Sequence, residues 1–247
     1  MALPADRLPT EHRAGAAIRA AKPSTPREFE AMYIPSHFEV QDVEALHRLI
    51  REHPFGMLVT HGANGLDANH LPFELDLSSG THGMLRAHVA RANPLWQDVR
   101  NGDEVMVVFR AEDGYITPTW YPSKHESHKQ VPTWNYRVVH AHGSIAIRDE
   151  ERYVRGVVAR LTRAHEASQP APWKMTDAPA DYIDTMLKAI VGIEIDITRL
   201  TGKFKLSQNR ELRDKLGAAE ALKRQGDVAL GQAMLDAIAQ PRDDGSR

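Results

Sequence analysis

Histidine side chains bind metals and change charge near neutral pH, and this chain sets two pairs of them at short spacing. His140 and His142 lie two apart in TWNYRVVHAHGSIAIR (133–148), which reads as a strand, so both imidazoles fall on one face. His125 and His128 flank Glu126, an oxygen donor, in a polar stretch from Ser123 to Gln130. Divalent-metal binding is the chemistry these residue types suggest. The second pair is three apart on a loop, whereas a zincin sets its histidines four apart on a helix. Surface or hydrogen-bonded histidines account for both pairs, and that plainer reading is adopted: no metal site is assigned.

Around the polar stretch the tripeptide Pro-Thr-Trp occurs twice, at 118–120 and 132–134, each followed closely by a tyrosine. Trp120, Tyr121, Trp134 and Tyr136 are either cross-strand packing pairs in a barrel wall or the wall of a slot for a planar heterocycle. Two further stretches carry anion chemistry. HVARANP (88–94) puts His88, Arg91 and Asn93 where a strand gives way to a helix, and helix N-termini favour anions. TGKFKLSQNR (201–210) supplies Lys203, Lys205, Ser207, Gln208 and Asn209. If the strand continues, Lys203, Lys205 and Ser207 share a face suited to a phosphate or the carbonyl edge of a flavin. Lysines guarding a solvated strand edge would look the same.

The motifs that are missing narrow the field. No G-x-G-x-x-G follows a strand, Gly202-Lys203 lacks the upstream glycine of a P-loop, and no G-x-S-x-G elbow is present. With no cysteine, disulfides, thiolate zinc sites and thiol nucleophiles are excluded, which fits a reducing, cytoplasmic setting. A net charge of −2 gives no overall field for nucleic acid or an anionic membrane. No apolar run reaches the roughly eighteen residues a membrane span needs.

These residues need elements to hold them. Residues 1–31 are Ala-, Pro- and charge-rich and read as a flexible extension. Over 41–54, Val43, Leu46, Leu49 and Ile50 form one helical face, with Asp42 as N-cap and Pro54 as stop. FGMLVTH and LDANHLPFEL flank an Asn-Gly turn and read as a hairpin. MLRAHVA (84–90), EVMVVFR (104–110), YITPTW (115–120), 133–148 and 191–208 are further strands, and Asn93-Pro94 opens a short helix. Segments 149–167 and 179–190 are amphipathic helices, and two Ala/Leu-rich helices follow Asn209. The pattern predicts an α+β chain: an antiparallel barrel over 32–208 with added helices, then a helical extension over 209–247. That extension carries seven basic and seven acidic residues, a balance unlike a DNA-recognition helix.

MYIPSHF, HPFGMLVTHG, ANHLPFELD, LRAHVARANPLW, ITPTWYPSK, VPTWNYRVVHAHG and KFKLSQNR, in this order, resemble the PaiB-like proteins, described as FMN-binding negative transcriptional regulators. The similarity runs from about Met32 to Arg210. It implies an FMN-binding split barrel related to pyridoxamine-phosphate oxidases and flavin reductases, forming a homodimer with one FMN at each of two interface sites. In the wider superfamily the turn matching HVARAN holds the FMN phosphate, which makes Arg91 the leading ligand, with His88 and Asn93 assisting. Asn69 and His70 lie on a strand that lines the flavin in relatives. The KLSQN match places Lys205, Ser207, Gln208 and Asn209 near the site or the dimer seam, with Trp120 and Trp134 near the slot. The stretch from Ser123 to Gln130 becomes a candidate lid. The arginine and histidine signature of true pyridoxamine-phosphate oxidases is missing, which speaks against that activity. The resemblance leaves three readings: a regulator acting on DNA directly or through a partner, an oxidoreductase taking electrons from NAD(P)H or another small molecule, and an interaction protein without cofactor. No catalytic residue is assigned.

Overall fold

The first helix shows how closely local sequence dictates the structure. In the computed structural model, which describes residues 32–63 and 65–239, α1 (Val43–Glu52) starts where the Asp42 carboxylate accepts the Glu44 N–H at 3.0 Å. Leu46, Leu49 and Ile50 are buried against the sheet. Val43, the fourth member of the predicted stripe, stays exposed because a first-turn side chain points back past the helix end. The expected extension over residues 1–31 lies outside the described residues.

The sheet is antiparallel throughout. A two-residue strand β1 (Glu39–Val40) pairs with the far end of β8 (Ile190–Lys205). β2 (Phe55–Gly62) and β3 (Gly65–Pro72) form the predicted hairpin, closing at Gly62 opposite Gly65. With β4 (Glu74–Asp76), β5 (Met84–Ala90), β6 (Glu104–Ile116) and β7 (Thr133–Arg148), the order is β3-β2-β6-β7-β8-β5-β4. No ladder joins β3 to β5, so the sheet curls without closing. At that gap the Asn93 side-chain amide donates to Asn69 Oδ1 at 2.7 Å.

Strict alternation along these strands sorts side chains into two faces. Leu58, Val107, Phe109, Val139, Ala141, Ile193 and Ile195 point inward to the main core with α1. A smaller cluster lies under α4 (Glu151–Glu166) and α5 (Ala180–Lys188), where Val154 meets Ile183 and Leu187. The last two helices, α6 (Leu212–Gln225) and α7 (Val228–Ala239), bury Ala218, Leu222, Leu230 and Met234 against Ile116, Tyr121 and Leu206. Two short helices, α2 (Leu95–Asp98) and α3 (Lys124–Ser127), complete the set among the described residues. Asn93 Oδ1 accepts the Leu95 N–H at 2.9 Å, so it caps α2 as its type predicts.

Two strand expectations are corrected. β6 stops at Ile116, and Pro118–Trp120 forms a 3-10 turn, because proline has no N–H for a ladder and Thr117 Oγ1 accepts the Thr119 N–H. β8 stops at Lys205. Ser207 takes a left-handed φ of 64° and buries its hydroxyl, which accepts the Asn135 side-chain N–H at 2.9 Å. Lys203 and Lys205 therefore share a face, but Ser207 does not continue it.

At the register shift between His142 and Gly143, β7 and β8 approach closely. A Cβ on Gly143 would lie 2.2 Å from the Asp196 carbonyl oxygen and 2.8 Å from Ile195 Cγ2. Gly143→Ala is expected to lower stability by about 1–3 kcal/mol, read as a fall in the urea midpoint.

Candidate functional site

Asn93 and Asn69 meet at the gap between β3 and β5, and Arg91 lies two residues before Asn93, with its guanidinium turned to the start of β8. Asn69 Nδ2 donates to Asp67 Oδ2 at 2.8 Å, and the Trp96 indole N–H donates to the Arg91 carbonyl at 2.9 Å. Arg91 itself is heavily engaged. Its Nε donates to Lys188 O at 2.7 Å, Nη1 to Asp149 Oδ2 at 2.9 Å, and Nη2 to Asp149 Oδ1 and Ile190 O. One of its five N–H groups is left. The Arg91 hydrogen bonds hold the Asp149 carboxyl below the usual carboxylate range, so an anion arriving here meets that negative charge as well. His88, on β5, has a buried Nδ1 without a partner, and burial pushes its pKa down. His70 is exposed and stacks on Phe55 with ring centroids 6.2 Å apart.

The other expected residues lie at the far end of β8. Lys205 Nζ donates to Thr133 Oγ1 and to the Trp134 carbonyl, the latter at 2.7 Å. Burial lowers its pKa, with Lys203 and Arg210 adding to the effect. Trp134 is exposed and meets Tyr115 edge-on at 6.1 Å, while Lys203 Nζ sits 5.7 Å over the Tyr136 ring. Gln208 folds back on its own turn, donating to Phe204 O and accepting from the Leu206 N–H. Asn209 is exposed. Trp120 packs against the second core under α6, so it does not share a wall with Trp134. β8 separates the two groups: Arg91 bonds to Ile190 at one end, and Lys205 closes the other, about 50 Å of strand away.

Between them runs the outward face of the sheet. Tyr136, Val138, His140 and His142 of β7 stand opposite Lys205, Lys203, Thr201 and Arg199 of β8. Val108 and Met106 of β6, then Met57 and Val59 of β2, continue the face sideways. His140 Nδ1, His142 Nε2 and Thr201 Oγ1 are buried without a hydrogen-bond partner. Burial, and then the Arg199 charge, push both imidazoles down, which favours their neutral forms. Arg199, Thr201 and Tyr115 escaped sequence reasoning, although TRLTGKFK alternates from Arg199 just as it does from Lys203. The described residues hold no group of three or more side chains arranged for a metal ion.

The stretch expected to act as a lid is strapped down. Asp214 of α6, almost fully buried, accepts the Ser123 N–H at 3.0 Å and the Ser123 hydroxyl at 2.6 Å. Gln130 Nε2 donates to Ser123 Oγ, Arg210 donates to Gln130 Oε1, and Arg213 forks onto Glu126.

As a donor set, the outward face combines exposed aromatic rings, two lysines, and neutral imidazoles and a hydroxyl that can give or take a hydrogen bond. That chemistry fits a phosphate-bearing planar heterocycle with alternating acceptors and donors along its edge. Residues 32–199 match a family model described as "Putative FMN-binding domain". The chain belongs to that family. The cofactor the family names is FMN. An uncharacterized protein, AN0679, of Emericella nidulans is 34% identical over 231 residues, covering 79% of this chain and 92% of its own. The Bacillus subtilis protease synthase and sporulation protein PAI 2 is 29% identical over 194 residues, covering 78% and 90%. In fold, the chain is similar to the FAD and heme binding protein from Mycobacterium smegmatis, with a TM-score of 0.52, 15% identity, and 73% and 79% of the two chains covered. The flavocytochrome Anf3 from Azotobacter vinelandii aligns at a TM-score of 0.51 and 11% identity, covering 71% and 74%. Among the described residues of this FMN-binding family member, no helix is long and apolar enough to cross a membrane.

Two measurements follow. His88, His140 and His142 have native pKa values below their unfolded ones, so their contribution is whole above about pH 6.5 and is lost as pH falls through that value towards the native ones. The His140→Gln/His142→Gln double variant should therefore show a shallower loss of urea midpoint between about pH 7 and pH 5 than the parent. An unchanged slope would remove the pair from the acid response. Asp214→Ala strands the Ser123 donors, which should cost about 2–4 kcal/mol. Hydrogen exchange should then quicken over 117–132 while the β7–β8 ladder stays protected.

Proposed function

We propose that this FMN-binding protein works as a homodimer in which each cofactor site is shared, and that it acts as a negative transcriptional regulator. The separation of the two residue groups along β8 carries the reading. One FMN is far shorter than that strand, so Arg91, Asn93 and Asn69 cannot serve the same molecule as Lys205 and Trp134 of the same chain. A two-fold axis over the outward face, with strands crossing antiparallel, would bring the Arg91 end of one chain to the Lys205 end of its partner. Half-buried Met57, Val59, Met106, Val108 and Val138 give that face an apolar middle suited to a second copy.

In this arrangement Asn69, Asn93 and the last free N–H of Arg91 hold the phosphate end. Lys205, with its lowered pKa, and Trp134 serve the ring. When bound, the flavin supplies redox chemistry through its ring, and the protein's part is to hold the ring and exclude water. The name of the relative PAI 2, protease synthase and sporulation protein, supports a regulatory role. The α6–α7 pair supports an indirect route, because its apolar side is packed into the second core and Arg213 is paired with Glu126 and Glu211. A recognition helix would need an accessible, cationic face.

Complementation tests site sharing. Arg91→Ala and Lys205→Ala copies are each expected to bind FMN weakly. Mixed in equal amounts and allowed to exchange, they should regain about one quarter of the wild-type sites, since half the dimers are mixed and each of these holds one intact site. Flavin absorbance after gel filtration reads the result. No recovery, with exchange confirmed, would refute a shared site. Reduction of the loaded protein by NADPH with turnover of a substrate would replace the regulator with an oxidoreductase.

A further inference from the structure

The inner side of the β7–β8 end holds a second concavity, away from the outward face. It is a cleft of about 790 Å³ between α1, the sheet and α7, where the main core and the second core meet. Its apolar lining includes Val40, Leu49, Phe204, Leu206 and Met234, and Phe204 packs against both cores. The volume lies within the range of small-molecule sites.

The charges around this cleft are arranged by depth. Asp42, Glu52, Asp236 and Arg48 are exposed at the rim, where water solvates them. Deeper, Arg137 is clamped by Glu112 through two hydrogen bonds of 2.7 Å, and that carboxylate is held below its usual range against the pull of burial. The Gln208 side chain is spent on its own turn. Lys215 of α6 is different: it is half-buried in the wall and has no carboxylate partner among the described residues. A lysine in the wall of such a cleft lays its aliphatic stem along the apolar lining and leaves its ammonium free to give a charge-assisted hydrogen bond to an acid group.

We propose that the cleft binds a small organic monocarboxylate with an apolar body, its acid group paired with Lys215 and its body lying along Phe204, Leu206 and Met234. Arg137 is already neutralised, so the ligand needs only one negative charge. The rim acids disfavour polyanions. The site goes beyond the flavin reading and depends on none of its residues. Its floor and the outward lysines nonetheless share one strand end, with Phe204 and Leu206 facing the cleft while Lys203 and Lys205 face the other way.

Calorimetric titration of the full chain with octanoate, 1-octanol and octylammonium tests this. Octanoate is expected to bind once per chain, and the other two about tenfold more weakly or worse. Lys215→Gln should remove the advantage of octanoate over octanol while leaving the thermal midpoint in place. Ala233→Trp, which fills the cleft, should abolish both. The proposal is overturned if octanoate does not bind, if octanol binds the parent equally well, or if Lys215→Gln leaves octanoate affinity unchanged.

Discussion

The pairing of β7 with β8, from Tyr136 opposite Lys205 to Arg148 opposite Gly192, is the ladder on which the rest of the molecule depends. Side chains alternate along both strands, so every second residue is committed to the core and the others to the outside. The inward set, Val139, Ala141, Ile145, Ile193, Ile195 and Ile197, is fully buried and fixes the register. A slip by one residue would drive His140, His142 and Lys203 into the hydrocarbon core. The chemistry of the outward face is therefore held in place by packing on the inward one.

The same ladder connects features that look independent. At one end its inner face supports the cleft with Phe204 and its outer face carries Lys203 and Lys205, and its opposite end receives Arg91 through the Ile190 carbonyl. The register shift at His142 and Gly143 falls in the middle of this span. Bulges of this sort bend a strand and sharpen its twist. A bend there lets one continuous pair wrap a core on one side while leaving the other side open.

Much of this was legible in the sequence because the signals are local. Asp42 caps α1 and Asn93 caps α2 through contacts within a few residues, and β2 pairs with β3 down to Gly62 opposite Gly65. The outward pairing of His140 with His142 followed from strand alternation alone. What stayed hidden depends on partners far apart in the chain. Arg91 reads as a free phosphate ligand until Asp149, 58 residues away, is seen on its guanidinium. Asp214 reads as one acid in a charge-balanced helix, yet it is buried and holds Ser123 from 91 residues away. Ser207 breaks the alternation of Lys203 and Lys205 because Asn135 offers it a buried hydrogen bond, and no local pattern announces a left-handed turn at a serine.

The strap from Asp214 to Ser123 also has a meaning in time. During synthesis the β6–β7 connection emerges with its donors exposed, and its acceptor follows only after another 91 residues have been made. At roughly 5–20 residues per second that is a lag of about 5–20 s. Through that interval Trp120 and Tyr121 lack the helices that will cover them, although the strands around them are already available to pair. The connection beside Trp134 and Lys205 is thus among the last parts of the protein to be set, and a nascent chain reaches its finished surface only when α6 arrives.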